Sequence, residues 1–165
     1  MKKIVNKTVL IVALLTVTNF ISAQKTTGEE MAKNVFKTIQ NSDVETFLSY
    51  CISEEKNTKM LNDLTGTSEM EKDLKKDLKG ENVKKQIDDM KLNFNGFVEE
   101  LKKEGIKSKD GVYEFEKNEY QFEVTNLKCY DIKFKIIFDK IVYRFEINLF
   151  ETKDDTFLFG FRKIN

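Results

Sequence analysis

The stretch IKFKIIFDKIVYRFEINLF, residues 132–150, decides the fold. Apolar and polar side chains alternate along both of its halves, which is the two-residue period of a strand with one buried face. Asp139 and Lys140 separate the halves, and so short a connection makes the two strands antiparallel neighbours. The stretch therefore predicts a β-hairpin with one apolar face, which another layer of the protein has to cover.

The same alternation continues on both sides of this hairpin. Residues 120–124 and 157–161 each place an apolar or aromatic side chain at every second position. The connection Thr152–Asp155 is again short, and the segment Val112–Glu116 is a further candidate strand. Residues 111–165 are therefore predicted to form an antiparallel meander of four to five strands.

Residues 24–110 have helical patterns instead. Capping boxes begin at Thr27 and at Ser42, and Ser68 starts a third helix. A fourth helix follows from apolar residues spaced three and four apart, and Gly105 lies just beyond its end; these residues are Val83, Ile87, Met90, Phe94, Phe97, Val98 and Leu101. The segment 53–80 carries dense mixed charge, which indicates either a solvated helix face or a docking surface.

Helices followed by strands predict an α+β fold, with the N-terminal helices packed on one face of the C-terminal meander. Thirteen aromatic residues follow residue 111, and their alternation places some of them on each face of the sheet. Aromatic residues on both faces indicate a second packed layer, an exposed patch for a partner, or a pocket.

The N-terminus has the pattern of a secretory signal peptide. Three lysines precede an apolar run that ends at Ser22-Ala23-Gln24, where small residues offer a cleavage site after Ala23. We therefore expect residues 1–23 to be removed on export to the periplasm or the cell exterior. Residues 24–165 would then form a single α+β domain, mainly helical over 24–110 and mainly strand over 111–165. No second run is long enough to predict a transmembrane segment in the mature chain.

Composition excludes several kinds of function. The chain has no histidine, so serine and cysteine hydrolase triads and histidine-containing zinc sites are excluded within it. Removal of the leader takes three lysines and no acid, which leaves 25 basic and 28 acidic residues and a net charge of −3. This charge argues against nucleic acid as a partner, because phosphate binding needs a basic patch. No catalytic residue, metal site or cofactor is predicted.

Cys51 and Cys129 are the only cysteines. Export would allow a disulfide between them, and two separate buried thiols are the alternative. Cys51 lies on the apolar face of the second helix. Cys129 is out of phase with Ile132 and Phe134 on its strand, unless a bulge shifts the register.

The acidic residues of the strands, among them Glu114, Glu116, Asp139 and Glu146, alternate with the apolar positions. Their spacing predicts that they lie on the solvated face of the sheet. A carboxylate turned into an apolar cavity would have a raised pKa and could act as a base. No feature of the sequence selects one of them for that role.

The two ends of the mature chain have a familiar order. Residues 30–47 resemble the paired N-terminal helices of small exported bacterial domains in the nuclear transport factor 2-like, or cystatin-like, superfamily. Residues 143–160 resemble the closing hairpin of the same domains, with Phe157 and Phe159 where a tryptophan is often seen. The resemblance implies a cone-shaped α+β fold, and it rests on packing residues.

That superfamily contains ketosteroid-isomerase-type enzymes, ligand carriers and interaction modules. Because the chain has no histidine and no recognised catalytic motif, we expect a non-catalytic exported module that binds an apolar small molecule or another exported protein. The alternative is a small carboxylate-dependent enzyme of the ketosteroid-isomerase type. A carboxylate and a tyrosine that converge in an apolar cavity would favour the alternative.

Overall fold

A computed structural model describes residues 27–124 and 127–164, apart from the side chains of residues 63 and 117–123. The predicted leader, residues 1–23, lies outside these residues. The helices are α1 (Gly28–Asn41), α2 (Val44–Ser49), α3 (Glu54–Asp63), α4 (Glu69–Asp77) and α5 (Gly80–Lys103), followed by a 3-10 turn at Ser108–Asp110. The strands are β1 (Val112–Val124), β2 (Leu127–Phe138), β3 (Ile141–Glu151) and β4 (Thr156–Ile164). The chain therefore has the predicted α+β order, with helices first and the sheet last.

The first two helices begin at side-chain caps. Thr27 accepts a hydrogen bond from the Glu30 backbone N–H at 3.2 Å, and the Glu30 carboxylate accepts one from the Thr27 N–H at 2.9 Å. The second cap is one residue later than predicted. Ser42 ends α1 in the left-handed conformation, with φ 53°, so Asp43 caps α2 and accepts from the Thr46 N–H at 3.0 Å.

The strands form one antiparallel sheet in the order β1-β2-β3-β4. Phe138 pairs with Ile141 across the predicted two-residue turn. The candidate strand Val112–Glu116 is the first part of β1, which continues to Val124. A register shift at Glu116 accommodates one extra residue there, as in a β-bulge. The meander therefore has four strands in the described part of the chain.

One face of the sheet, here called the inner face, packs against α1, α2 and α5. The ring of Phe145 stacks on those of Phe134 and Phe161, with centroids 5.4 Å away in each case. Phe97 of α5 meets Phe145 edge-on at 4.7 Å, and Phe94 is only 1% exposed. Aromatic side chains from the helices and the strands thus fill the space between these two layers.

Helices α3 and α4 cover one end of the opposite face, here called the outer face. Leu149 belongs to the inner core, whereas Phe150, the next residue of β3, belongs to a second buried cluster. Successive side chains of a strand point to opposite faces, so this second cluster lies on the outer face. Its members that precede the sheet are Ile52, Met60, Leu64, Leu74, Leu78 and Val83, from the helices and the turns between them. The charged segment 53–80 therefore provides a second packed layer.

Beside β4, the chain between α2 and α3 forms a short parallel contact. Cys51 is bridged to Leu158, and the Leu158 N–H donates to the Tyr50 carbonyl at 2.8 Å. Farther along β4, the Asn93 amide of α5 donates to the Phe161 carbonyl at 3.0 Å. These bonds lie on the side of β4 that faces away from β3, because β3 occupies the other side.

Candidate functional site

A pocket of about 390 Å³ opens on the outer face, where α4 and α5 meet β2, β3 and β4. Its volume lies in the range of small-molecule sites. Its apolar lining residues include Leu74, Met90, Cys129, Leu149, Phe150 and Phe159. Polar side chains include Asp77, Gln86, Asp89, Asp131, Asn148 and Arg162. We call this cavity the outer-face pocket.

Two aromatic rings form the apolar part of the outer-face pocket. Phe150 and Phe159 have ring centroids only 4.2 Å apart. Asn148 pairs with Gly160 and Leu149 with Leu158, so Phe159 is the extra residue of a register shift in β4. Such a bulge re-aims a side chain, and here it leaves Phe159 packed with Phe150.

Hydrogen bonds and an ion pair join the polar side chains on the strands to one another. The Asn148 amide donates a hydrogen bond to the Asp131 carboxylate. Arg162 donates to one oxygen of Glu146 through Nε at 3.0 Å and through Nη2 at 2.5 Å. Glu146 is only 6% exposed, so the prediction that it lies on the solvated face is wrong for this residue. Its burial is compensated by the ion pair with Arg162.

Gln86 of α5 contributes an unsatisfied acceptor. Its Oε1 atom is buried and has no hydrogen-bond partner among the described residues. A buried polar atom without a partner costs about 1–3 kcal/mol, so proteins usually satisfy such atoms. Because Gln86 lines the outer-face pocket, a molecule bound there could supply the missing donor.

Two carboxylates at the rim have no countercharge. Asp77 and Asp89 are exposed and line the outer-face pocket. Neither takes part in an ion pair among the described residues. Their side chains therefore remain available to a ligand.

The two cysteines lie in different layers, and both are buried free thiols. Cys129 is on β2, whereas Cys51 lies beyond β4, so β3 and β4 separate them. Three strand spacings amount to roughly 14 Å, about twice the Cα separation that a disulfide can span. Burial raises the pKa of each thiol to about 12, and Asp131 adds to the effect at Cys129.

A second pocket, of about 450 Å³, lies between α3 and the connection from β3 to β4. Lys56 occupies its charged side, 2.5 Å from the Asp155 carboxylate and 5.0 Å from the Phe157 ring centroid. Two of the charged residues that line this pocket, Lys56 and Asp155, thus already form an ion pair with each other. We regard the outer-face pocket as the better candidate of the two, because it also contains the buried Gln86 Oε1 atom, which has no hydrogen-bond partner among the described residues.

The hydroxyl groups of Tyr130 and Tyr143 bond to carboxylates that do not line the outer-face pocket, unlike the convergent pair that an isomerase would need. Tyr130 and Asp131 are successive residues of β2 and point to opposite faces. The Tyr130 hydroxyl donates to Glu151 at 2.7 Å. On the inner face, the Tyr143 hydroxyl donates to the exposed Glu104.

Comparison with known protein families, with curated proteins and with solved structures finds no match for this chain. The resemblance to the nuclear transport factor 2-like superfamily therefore stays a prediction. Across residues 27–124 and 127–164, no group of three or more cysteine, aspartate or glutamate side chains is placed to hold a metal ion. The helices of the same residues include none with the length and apolar character of a membrane span.

Proposed function

We propose that this chain is a non-catalytic exported protein that holds an apolar small molecule in its outer-face pocket. The observation that carries the proposal is the close pair of rings, Phe150 and Phe159, within a cavity of about 390 Å³. Apolar and aromatic walls with a few polar groups are typical of small-molecule sites. Burial of a ligand's apolar surface against these rings would supply the binding free energy.

A protein partner is the less favoured occupant. A stable protein interface buries about 800 Å² on each partner around an apolar centre. The large apolar side chains that are exposed among the described residues are Met70, Leu92, Val112, Ile141 and Val142. They belong to α4, α5 and the turn end of the sheet, so they do not surround the pocket.

The chemistry of the outer-face pocket supports binding without catalysis. Its one thiol, Cys129, has a pKa of about 12, so it remains protonated and is a weak nucleophile at neutral pH. The chain has no histidine that could remove its proton. Thiol-based nucleophilic catalysis therefore has no evident starting point among the described residues that line the pocket.

Titration with N-phenyl-1-naphthylamine, an uncharged dye that fluoresces in apolar surroundings, tests the proposal. We expect saturable binding to the full-length mature protein. Gln86→Trp should weaken that binding by filling the pocket, whereas Lys85→Trp should not, because Lys85 is exposed on the same helix and does not line the pocket. Absence of saturable binding, or an equal loss in both variants, would contradict the proposal.

A further inference from the structure

The charges around the outer-face pocket point to the kind of molecule it takes. We infer that the ligand is an organic cation, with an apolar body and a protonated amine or quaternary ammonium group. This inference rests on the proposed function, because it names the ligand class of the same pocket. Its support comes from the balance of charge, the balance of donors and acceptors, and the aromatic wall.

Negative charge predominates around the pocket. Asp77 and Asp89 line it without an ion pair to any described residue, and Arg162 is the basic residue among its described lining residues. Arg162 is engaged by Glu146, so its charge is already balanced. Carboxylates that lack a countercharge raise the local concentration of cations.

Three side chains of the pocket use donors inside the protein, whereas several acceptors remain unengaged. Asn93 donates to the Phe161 carbonyl, Asn148 to Asp131, and Arg162 to Glu146. The Gln86 Oε1 atom, by contrast, is buried without a partner. The carboxylates of Asp77 and Asp89 are further acceptors that no described residue engages. A ligand that donates hydrogen bonds or carries positive charge would match these unengaged acceptors.

The aromatic wall suits the same ligand. Phe159 is the partly exposed ring of the pair, with buried Phe150 packed against it, and the faces of aromatic rings attract ammonium groups. The apolar body of the ligand would pack on the rings and on Leu74, while its cationic group would lie toward the rim carboxylates. An anionic ligand would meet the same carboxylates with repulsion.

Three probes with the same decyl chain separate charge from apolar character: decyltrimethylammonium, decanol and decyl sulfate. Each is tested for displacement of the naphthylamine dye from the mature protein. The two ionic probes are kept below the concentration at which they form micelles, and decanol is kept below its solubility limit. We expect the ammonium probe to bind roughly tenfold more tightly than the sulfate, with the uncharged alcohol between them. The preference should weaken in high salt, because the rim carboxylates are exposed.

A matched pair of double variants tests whether the carboxylates of the pocket cause the preference for the ammonium probe. Asp77→Asn with Asp89→Asn should reduce the preference for the ammonium probe several-fold. Asp73→Asn with Asp88→Asn removes the same charge from exposed positions of α4 and α5 outside the pocket, and should leave the preference unchanged. An equal loss in both double variants would assign the preference to net charge and overturn the inference.

The outcomes also separate this inference from the proposed function. Equal affinity for the three probes, or preference for the sulfate, would overturn the cationic ligand and leave an apolar binding pocket in place. Failure of the dye and of every decyl probe to bind would overturn the proposed function itself.

Discussion

The side chain of Asn148 on β3 lies across the backbone of Gly160, its partner on β4. A β-carbon at residue 160 would approach the Asn148 Cβ to 3.2 Å and would overlap its Oδ1 atom. Glycine is therefore needed at this position for Asn148 to keep its hydrogen bond to Asp131. The contact holds the polar wall of the outer-face pocket in place.

Gly160→Ala should destabilise the fold by about 1–3 kcal/mol, because the added methyl group forces the Asn148 amide away. The loss is measured as the free energy of unfolding in urea. Asn148→Ala removes the obstructing side chain, so the double variant with Gly160→Ala should be more stable than the sum of the two single effects predicts. Strictly additive losses would show that the two residues are not coupled.

Truncation of Phe94 to alanine should cost about 3–5 kcal/mol, because the side chain is 1% exposed and contacts Phe47 at 4.7 Å between ring centroids. Leu92→Ala is the matched control, since Leu92 lies on the same helix and is 69% exposed. That change should stay within about 0.5 kcal/mol. Thermal and urea unfolding compare the two variants, and similar losses would contradict the assignment of the inner core.

Tyr113→Phe should stabilise the protein by about 1 kcal/mol at neutral pH, because the Tyr113 hydroxyl is buried without a described hydrogen-bond partner. Burial, aided by Glu29, raises the pKa of this hydroxyl from 10.0 to about 12. The unfolded chain therefore loses this proton first, and native stability should fall as the pH rises from 10 to 12. The fall should be smaller in Tyr113→Phe, and an unchanged alkaline profile would argue against the buried hydroxyl.

Thiol counting checks the separation of the two cysteines. In denaturant and without reductant we expect two reactive thiols, because β3 and β4 lie between Cys51 and Cys129. The native protein should react far more slowly, since both thiols are buried and their pKa values are about 12. A count of zero in denaturant would instead establish the disulfide and a different packing of the layers.

The mature protein should begin at Gln24, because Ser22-Ala23 precedes it as a cleavage site after the apolar run. Intact mass spectrometry of the protein recovered from its native cell measures the N-terminus directly. A variant with Ala23→Lys should accumulate as the uncleaved precursor, since a large charged residue replaces the small one at the site. Full-length chain with Met1 in the cytoplasm of the native cell would refute export.

The sheet and the inner core follow from local patterns in the sequence. Strict alternation around Asp139 predicts the central hairpin, and the spacing of Phe94 and Phe97 predicts the face of α5 that is buried. Cys129 was out of phase with Ile132, and its side chain does lie on the opposite face. These features depend on residues that are only a few positions apart in the chain, so the spacing of residues in a single sequence is enough to predict them.

The outer layer was harder to predict. Between residues 53 and 80 only a few apolar residues, such as Met60 and Leu74, interrupt the charges, because each helix there buries a narrow stripe. The outer-face pocket combines α4 and α5 with strands more than thirty positions later, so no local spacing marks it. Burial of Glu146 was missed for the same reason, since Arg162 comes from another strand.

The contact beside β4 has a consequence for how this sheet can associate. Unpaired strand edges are templates for the addition of another chain, and proteins avoid aggregation by covering them. Two outward backbone groups of β4 already have hydrogen-bond partners. The Leu158 N–H donates to the Tyr50 carbonyl, and the Phe161 carbonyl accepts from the Asn93 amide. An intermolecular strand that added along β4 would have to displace these two bonds, so we expect a fibril or strand-swapped dimer to grow from the opposite edge, β1.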